Sequence, residues 1–355
     1  MTTYTSMLPL SYMVPTFYPT LPGNVQPQGG APLITLADPD LQARTQRLVN
    51  VLYWTAEQYK NQDGMTDPQT LKVFICPEFY FRKATAEEVR SGGFLPSTSF
   101  GSYPEDARYQ LAEALYQAVF TSPLFKHWTI VAGSICSALP VGPTGRMNLL
   151  NTAIMLRGQR PVLDASVPYI LMEKHYISDI DGPDRRAHAN RDPTTTYSFR
   201  LNPDQHLDNL IYWDDMKVGL EVCLDHNKQV VRNAVNLIDQ TLGPGACVLD
   251  VQLVTSCGMS IVDQAVAIAD GALIMLTDGM SHLVDRLPEP IFQVGRYDAA
   301  SGRTNLLDIG LFEFSELPAD ANYQVRDYAQ GRYVAKGRRQ GVWASESRLA
   351  LIGTA

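Results

Sequence analysis

The sequence predicts an α/β fold: a four-layer α-β-β-α sandwich with two packed mixed sheets. Three observations predict it. Apolar runs of strand length recur along the chain and alternate with segments of helical period. The strand runs are apolar almost without a break, as strands covered on both faces are. Their number, roughly ten, is high for one open sheet, whereas two sheets packed face to face with helices outside bury them well.

The elements follow in order. Residues 1–32 are rich in Pro, Gly and Thr and read as an irregular arm. Asp38-Pro39 starts a helix, an N-cap acid followed by Pro at the first helical position, and Leu41, Leu48, Leu52 and Ala56 carry it to about residue 60. LKVFIC (71–76) reads as a buried strand. A second helix begins near Pro104, with Ala107, Leu111, Leu115 and Ala118 on one face. WTIVAGSI (128–135), NTAIML (151–156) and YILMEK (169–174) read as strands. Residues 178–206, dense in charge, Gly and Pro, read as a long loop that is either functional or disordered. LIYWDD (210–215) and KVGLEV (217–222) read as a hairpin, with Asp214, Asp215 and Met216 near its turn. DVQLVTS (250–256), a helix over VDQAVAIA (262–269), and ALIMLTD (272–278) continue the alternation. IFQVGRY (291–297) and LLDIGLFEF (306–314) are the last strands. The expected organisation is an arm over 1–32, one main domain over 33–315, and a tail over 316–355 that offers an oligomer contact.

Composition excludes several classes. Hydrophobic residues make up 45% of the 355 and charged residues 19%, which excludes a disordered chain. A net charge of −8 argues against nucleic acid or an anionic membrane as the main partner. No apolar run is long enough to span a bilayer. The N-terminus lacks a basic segment and is broken by prolines, so no signal peptide is read. The five cysteines form no CxxC pair, which favours a reducing, cytoplasmic setting. The six histidines show no ligand spacing, so no metal is expected; no organic cofactor is expected either. LGPGACVLD (242–250) reads as an ordinary loop, and Tyr212-Trp213 as core or interface.

Three strands end in a reactive residue. Glu78 follows Pro77 and is flanked by Phe79, Tyr80 and Phe81; a carboxyl among aromatics is desolvated and becomes a usable base. Lys174 closes a second strand, where an ammonium can stabilise an oxyanion; on local sequence its neighbours Glu173 and His175 are equal candidates. Cys223 directly follows a third and resembles a nucleophile on a strand-to-helix turn. Taken alone, each reads equally as a solvated or buried strand-end residue. Cys76, Cys136, Cys247 and Cys257 sit in or beside apolar runs and read as core. His226, three positions after Cys223, is expected to face outward.

Taken together, the segments VFICPEF, ILMEKHY and GLEVCLD resemble the carbon–nitrogen hydrolase family, the nitrilase superfamily. Its members carry Glu, Lys and Cys in that order at strand ends. Here Lys174 follows Glu78 by 96 positions and Cys223 follows Lys174 by 49. VAGS (131–134) and NTAIMLRGQ (151–159) match the strand pair between them, and the resemblance spans roughly residues 35–315. After Cys223 only Asp225 matches the amidase pattern, and the Trp-Glu of true nitrilases is absent, which leans toward amides. The second Glu that many members place after the Lys is missing. Asp181, chosen over Asp179 and Asp184, is the candidate substitute.

The resemblance implies a thiol route on a small-molecule amide. Glu78 is the base, Cys223 the nucleophile, and Lys174 with the Leu224 N–H holds the oxyanion. Tyr80, Asp181 and Arg185 are candidate substrate contacts, Arg185 with Arg186 toward a carboxylate. Hydrolysis of an amide or carbamoyl compound is the leading reading. Amide-forming acyl transfer, nitrile hydrolysis and a non-catalytic binding relative are the alternatives. A homodimer or higher homo-oligomer is also implied.

Overall fold

Asp38 caps the first helix, α1 (Pro39–Gln58), by accepting from the N–H groups of Asp40 and Leu41, with Pro39 at the first helical position. This is the start signal visible in the sequence. The computed structural model describes residues 4–17, 20–83, 101–141, 146–159, 168–176, 178, 181, 197–199, 207–280, 292–327, 332–334 and 340–352. Within these, the chain is mixed α/β, with two larger mixed sheets and one small one.

The first sheet is built on seven strands: β1 (Ser6–Met13), β2 (Thr70–Ile75), β3 (Trp128–Val141), β4 (Arg146–Arg157), β5 (Tyr169–Glu173), β12 (Phe312–Glu316) and β13 (Gly341–Ser345). Their order is β12-β13-β1-β2-β3-β4-β5. The second sheet uses β6 (Leu210–Trp213), β7 (Met216–Val222), β8 (Leu249–Ser256), β9 (Ile268–Asp278), β10 (Phe292–Asp298) and β11 (Arg303–Leu306), in the order β11-β10-β9-β8-β7-β6. β1, β2 and β3 run parallel, as do β7, β8 and β9. Parallel strands point their C-terminal ends the same way, which brings the residues after β2 and β7 to the ends of two sheets.

Successive residues of one strand serve different cores, because side chains alternate faces. Val73 and Ile75 of β2 pack with Val218, Leu220 and Val222 of β7, between the sheets. Phe74 faces away and packs with Leu48 and Leu52 of α1 and Leu111 and Leu115 of α2 (Ala107–Phe120). On the far side of the second sheet, Val231 and Val235 of α3 (Val230–Leu242) cover Val254, Ile274 and Leu276.

Four expectations are corrected. Residues 1–32 are not an irregular surface arm throughout: β1 is buried along its whole length, between β2 and β13. Its Pro9 and intervening polar residues hide the strand signal. The stretch after 315 is not a tail throughout: β13 is paired on both edges, and Val342 and Ala344 are fully buried. VDQAVAIA is not a helix; only a short 3₁₀ turn, Asp263–Ala265, precedes β9. The Gln252 side chain holds this segment open, donating to Ala265 O at 3.1 Å and accepting from Ala267 N at 3.0 Å. LLDIGLFEF is not one strand: β11 ends at Leu306, a 3₁₀ turn spans Ile309–Leu311, and β12 begins at Phe312 in the other sheet.

The hairpin expectation holds. β6 and β7 pair antiparallel from Trp213↔Met216, and Asp214 and Asp215 take φ of 52° and 60°. Two consecutive positive φ values make the turn whose twist suits adjacent strands, and aspartate tolerates that conformation. The 178–206 loop lies mostly outside the described residues, as do Arg185, Arg186, Asp179 and Asp184.

Candidate active site

Glu78 is placed by the chain's exit from β2. Its N–H donates to Ser256 O at 3.2 Å, and the next residue, Phe79, turns through φ 62° with its N–H held by Ser134 Oγ at 3.0 Å. Ser134 follows Gly133, whose φ of 78° and lack of a side chain let the chain pass Pro77 O; a Cβ there would lie 2.3 Å from that oxygen.

The Glu78 carboxylate is fully buried. Its Oε1 accepts from Lys174 Nζ at 2.8 Å and from Asn151 Nδ2 at 2.9 Å. Its Oε2 has no hydrogen-bond partner. Burial pushes the carboxyl up to about 7, opposed first by the Lys174 ammonium and reinforced by Asp181, with the Cys223 thiol a smaller lowering influence. Desolvation among aromatics was the sequence argument for this residue, and burial is the leading cause here.

Lys174 leaves β5 into the same spot. It is 4% exposed and donates to Asp181 Oδ2 at 2.7 Å as well as to Glu78. Its third contact, to Ser178 Oγ, is long at 3.5 Å. Burial alone lowers an ammonium's pKa, but Asp181 and Glu78 outweigh it and hold Lys174 well above its ordinary value. Asp181 is itself fastened by Ser178 N, Ser178 Oγ and Asn151 Nδ2, at 2.7, 2.7 and 2.8 Å. The lysine is therefore gripped between two carboxylates, with Phe79's ring 5.7 Å away.

Cys223 follows β7 and is 3% exposed. Its backbone takes φ 48° and ψ −107°, unusual for a residue with a side chain, and its N–H donates to Thr255 O at 2.9 Å. Leu224 then begins a short helical turn, Leu224–Asn227. This is the geometry of a nucleophile elbow: a sharp strand-to-helix turn that aims the side chain outward from the sheet end. Burial raises the thiol's pKa, and the Glu78 charge raises it further, against the Lys174 ammonium. The sulfur also lies 3.8 Å from Cys257 O.

One carboxylate joins the two sheets at this point. Asp225 accepts from His175 N at 3.0 Å and from Tyr176 N at 2.8 Å, so the segment after Lys174 is tied to the turn after Cys223. Asp225 is fully buried, and burial drives its carboxyl pKa up against Lys174 and those N–H groups.

Several sequence expectations move. Tyr80 lies in the core under α1, away from the Glu78–Lys174 cluster; its ring stacks near Tyr323 at 6.2 Å and edges onto Phe81 at 4.9 Å. The turn at Phe79, with its φ of 62°, explains this: it carries Tyr80 and Phe81 together into the α1 core, while the Phe79 ring stays beside Lys174. His226 does not face outward. It is fully buried, with Nδ1 2.6 Å from Glu221 Oε2, while Nε2 accepts from Val262 N at 3.0 Å. That pairing places the proton on Nδ1. Cys76 and Cys257 are fully buried and Cys136 nearly so, while Cys247 is only half-buried. Burial pushes the Cys136 thiol up to about 12. Asn151, Ser134, Ser178 and Phe79 were missed as site residues. Asn151 opens the run NTAIML but lies inside β4, where a single polar residue carries no local signal.

No protein-family model and no curated protein matches the chain. Among solved structures, it is similar to two mutants of a Nesterenkonia AN1 amidase from the nitrilase superfamily. One shows 13% identity and a TM-score of 0.43 over 98% of this chain and 91% of that one. The other shows 12% identity and a TM-score of 0.38 over 96% and 92%. It is also similar to a glutamine-dependent NAD(+) synthetase from Cytophaga hutchinsonii, at 10% identity and a TM-score of 0.37, over 86% of this chain and 41% of that one. At these values the chemical reading rests on the side chains and not on the likeness.

Proposed function

We propose that the chain is a thiol-dependent hydrolase that cleaves the C–N bond of a small, non-peptide amide or carbamoyl compound through a Cys223 thioester. The observation that carries this reading is the meeting of Glu78, Lys174 and Cys223 at the ends of strands from two sheets, with Lys174 Nζ 2.8 Å from Glu78 Oε1. The three cores, α1 and α2 outside one sheet and α3 outside the other, support the four-layer α-β-β-α arrangement that the reading expects.

In this mechanism Glu78 takes the Cys223 proton at Oε2, the oxygen with no other partner. The thiolate attacks the amide carbon. The oxyanion is held by Lys174 and by the Leu224 N–H, which begins a helical turn and so lacks an intrahelical acceptor. Glu78 returns its proton to the leaving amine. It then takes one from the water that attacks the thioester, releasing carboxylate and thiol. Asn151 and Asp181 fix the carboxylate and ammonium so that neither drifts between steps. A free nucleophilic thiol suits a reducing compartment, and homo-oligomeric assembly belongs to the same reading. Among the described residues, no helix is long and apolar enough to cross a membrane.

The test is ammonia release from an amide panel by the wild type and Cys223→Ala. Turnover of one or more amides that falls at least ~10⁴-fold in the variant is expected. Wild-type rates in the variant overturn the nucleophile. Intact mass after iodoacetamide should place one adduct on Cys223; an adduct on Cys76 instead overturns the ranking of the cysteines. Added hydroxylamine that diverts product to hydroxamate separates acyl transfer to amines from binding without chemistry.

A further inference from the structure

A cavity of about 700 Å³ opens near the start of β2, the strand whose far end leads to Glu78. Its walls include Lys72 near the start of β2, Lys126 and His127 just before β3, and Lys60 beyond α1. Glu78 lies past the other end of β2, a strand of six residues that spans about 20 Å.

The charge balance of this cavity is opposite to that of the chain. The protein carries a net charge of −8, yet among the described residues no acidic side chain lines the cavity while three lysines and a histidine do. The Lys72 side chain is 1% exposed, and its ammonium donates to the neutral carbonyls of Thr70 at 2.9 Å and Asp67 at 3.3 Å. Asp67, between the lining residues Thr66 and Pro68, has its carboxylate turned to Arg348 and Thr70. Lys60 pairs with Glu57, which is not part of the wall. His127 is fixed by Tyr4, whose hydroxyl lies 3.1 Å from Nδ1. The remaining wall is apolar, with Met65 and Leu124 among its residues. Such volumes and mixed walls suit metabolite-sized ligands. A positive field in a concave, partly apolar site favours an anion with an apolar body.

We propose that this cavity is a binding site for a small organic carboxylate, whose charged end meets Lys126 and Lys60 and whose apolar end rests on Met65 and Leu124. The site is separate from the Glu78–Lys174–Cys223 cluster, and the proposal does not depend on the hydrolase reading.

Calorimetric titration of the full chain with hexanoate, hexanamide and inorganic phosphate tests it, the hexanamide arm being run on Cys223→Ala so that turnover adds neither heat nor hexanoate. Hexanoate should bind at least about tenfold more tightly than either hexanamide, which lacks the charge, or phosphate, which lacks the apolar body. Lys60→Glu and Lys126→Glu change exposed residues and should leave the melting temperature near wild type. Together they should weaken hexanoate roughly tenfold or more, and added salt should weaken it in the wild type. Cys223→Ala should bind hexanoate as the wild type does, which separates this cavity from the catalytic cluster. The proposal is overturned if hexanamide equals hexanoate, if the double charge reversal leaves affinity unchanged, or if no heat appears up to about 10 mM.

Discussion

At the scale of single residues, the chemistry turns on a carboxyl group whose proton affinity sits near neutrality. Glu78 must be ionised to take the Cys223 proton, and its pKa is raised to about 7 by burial. Below that pH the free enzyme holds a protonated base. Hence kcat/KM should fall about tenfold per pH unit on the acid side, with a break close to 7. A pH–rate profile checks it; an acid limb breaking near the ordinary carboxylate range would mean that Glu78 is not the titrating base. The three principal residues were legible because each ends an apolar strand, where a reactive group is conspicuous. Asn151 and Ser178 were not, since ordinary polar residues acquire a role only when folding brings a distant carboxylate to them. The place of Tyr80 in the core was not legible, because aromatic composition says nothing about which way a ring turns. His226 was misread because helical spacing was applied to a four-residue turn, Leu224–Asn227, that is packed from above by the chain at Val262.

At the scale of elements, a single glycine sets the depth of the Glu78 segment. Gly133 sits at the irregularity in the β3–β4 pairing, and its φ of 78° places Pro77 O where a Cβ would go. Gly133→Ala should therefore push Pro77 and Glu78 out of register with Lys174. A displacement of about 1 Å can cost on the order of 10²-fold in rate, and the strain about 1–3 kcal/mol of stability. Parallel measurement of kcat/KM and the denaturant midpoint checks both; an unchanged variant would show that this close approach positions nothing. The strands were legible because both faces of each are apolar, and α1 because its cap and Pro lie next to each other. The failed helix at 262–269 shows the limit of periodicity. Val, Ala and Ile there satisfied a helical spacing, but Gln252, remote in sequence, supplies the hydrogen bonds that keep the backbone extended.

At the scale of the whole molecule, the site depends on two sheets keeping their alignment. Asp225 is the tie between them, and Asp225→Ala would leave the His175 and Tyr176 N–H groups, both held by its carboxylate, without that acceptor. A loss of about 2–4 kcal/mol in stability is expected, with activity falling further than stability explains because Lys174 is no longer anchored opposite Cys223. Denaturant midpoints together with kcat at a temperature where both proteins are folded separate the two effects. Asp225→Asn, which keeps one acceptor oxygen, should fall between.

The deepest dependence runs through the chain ends. β1 lies between β2 and β13, so residues from the first and last stretches complete the sheet whose other end carries Glu78. All eight β1 residues are buried, and Leu8, Leu10 and Tyr12 pack in the core beneath α1 while Met7 packs between the sheets. Each large apolar side chain buried there contributes about 1.5–3 kcal/mol, so the strand as a whole rivals the net stability of a typical domain, about 5–15 kcal/mol. Removal of residues 1–16 should therefore abolish cooperative folding, not trim an appendage. Because a truncated chain can fail for unrelated reasons, Leu10→Ala provides the graded test. It should cost about 2–5 kcal/mol by cavity formation and lower the melting temperature by several degrees. Its effect on kcat/KM, measured while folded, should stay small, since Leu10 contacts the α1 side of the sheet and not the catalytic ends. A truncated chain that melts cooperatively at the wild-type temperature would show that the sheet closes without β1, and that the paired registers Ser6↔Thr70 to Ser11↔Ile75 do not hold in solution.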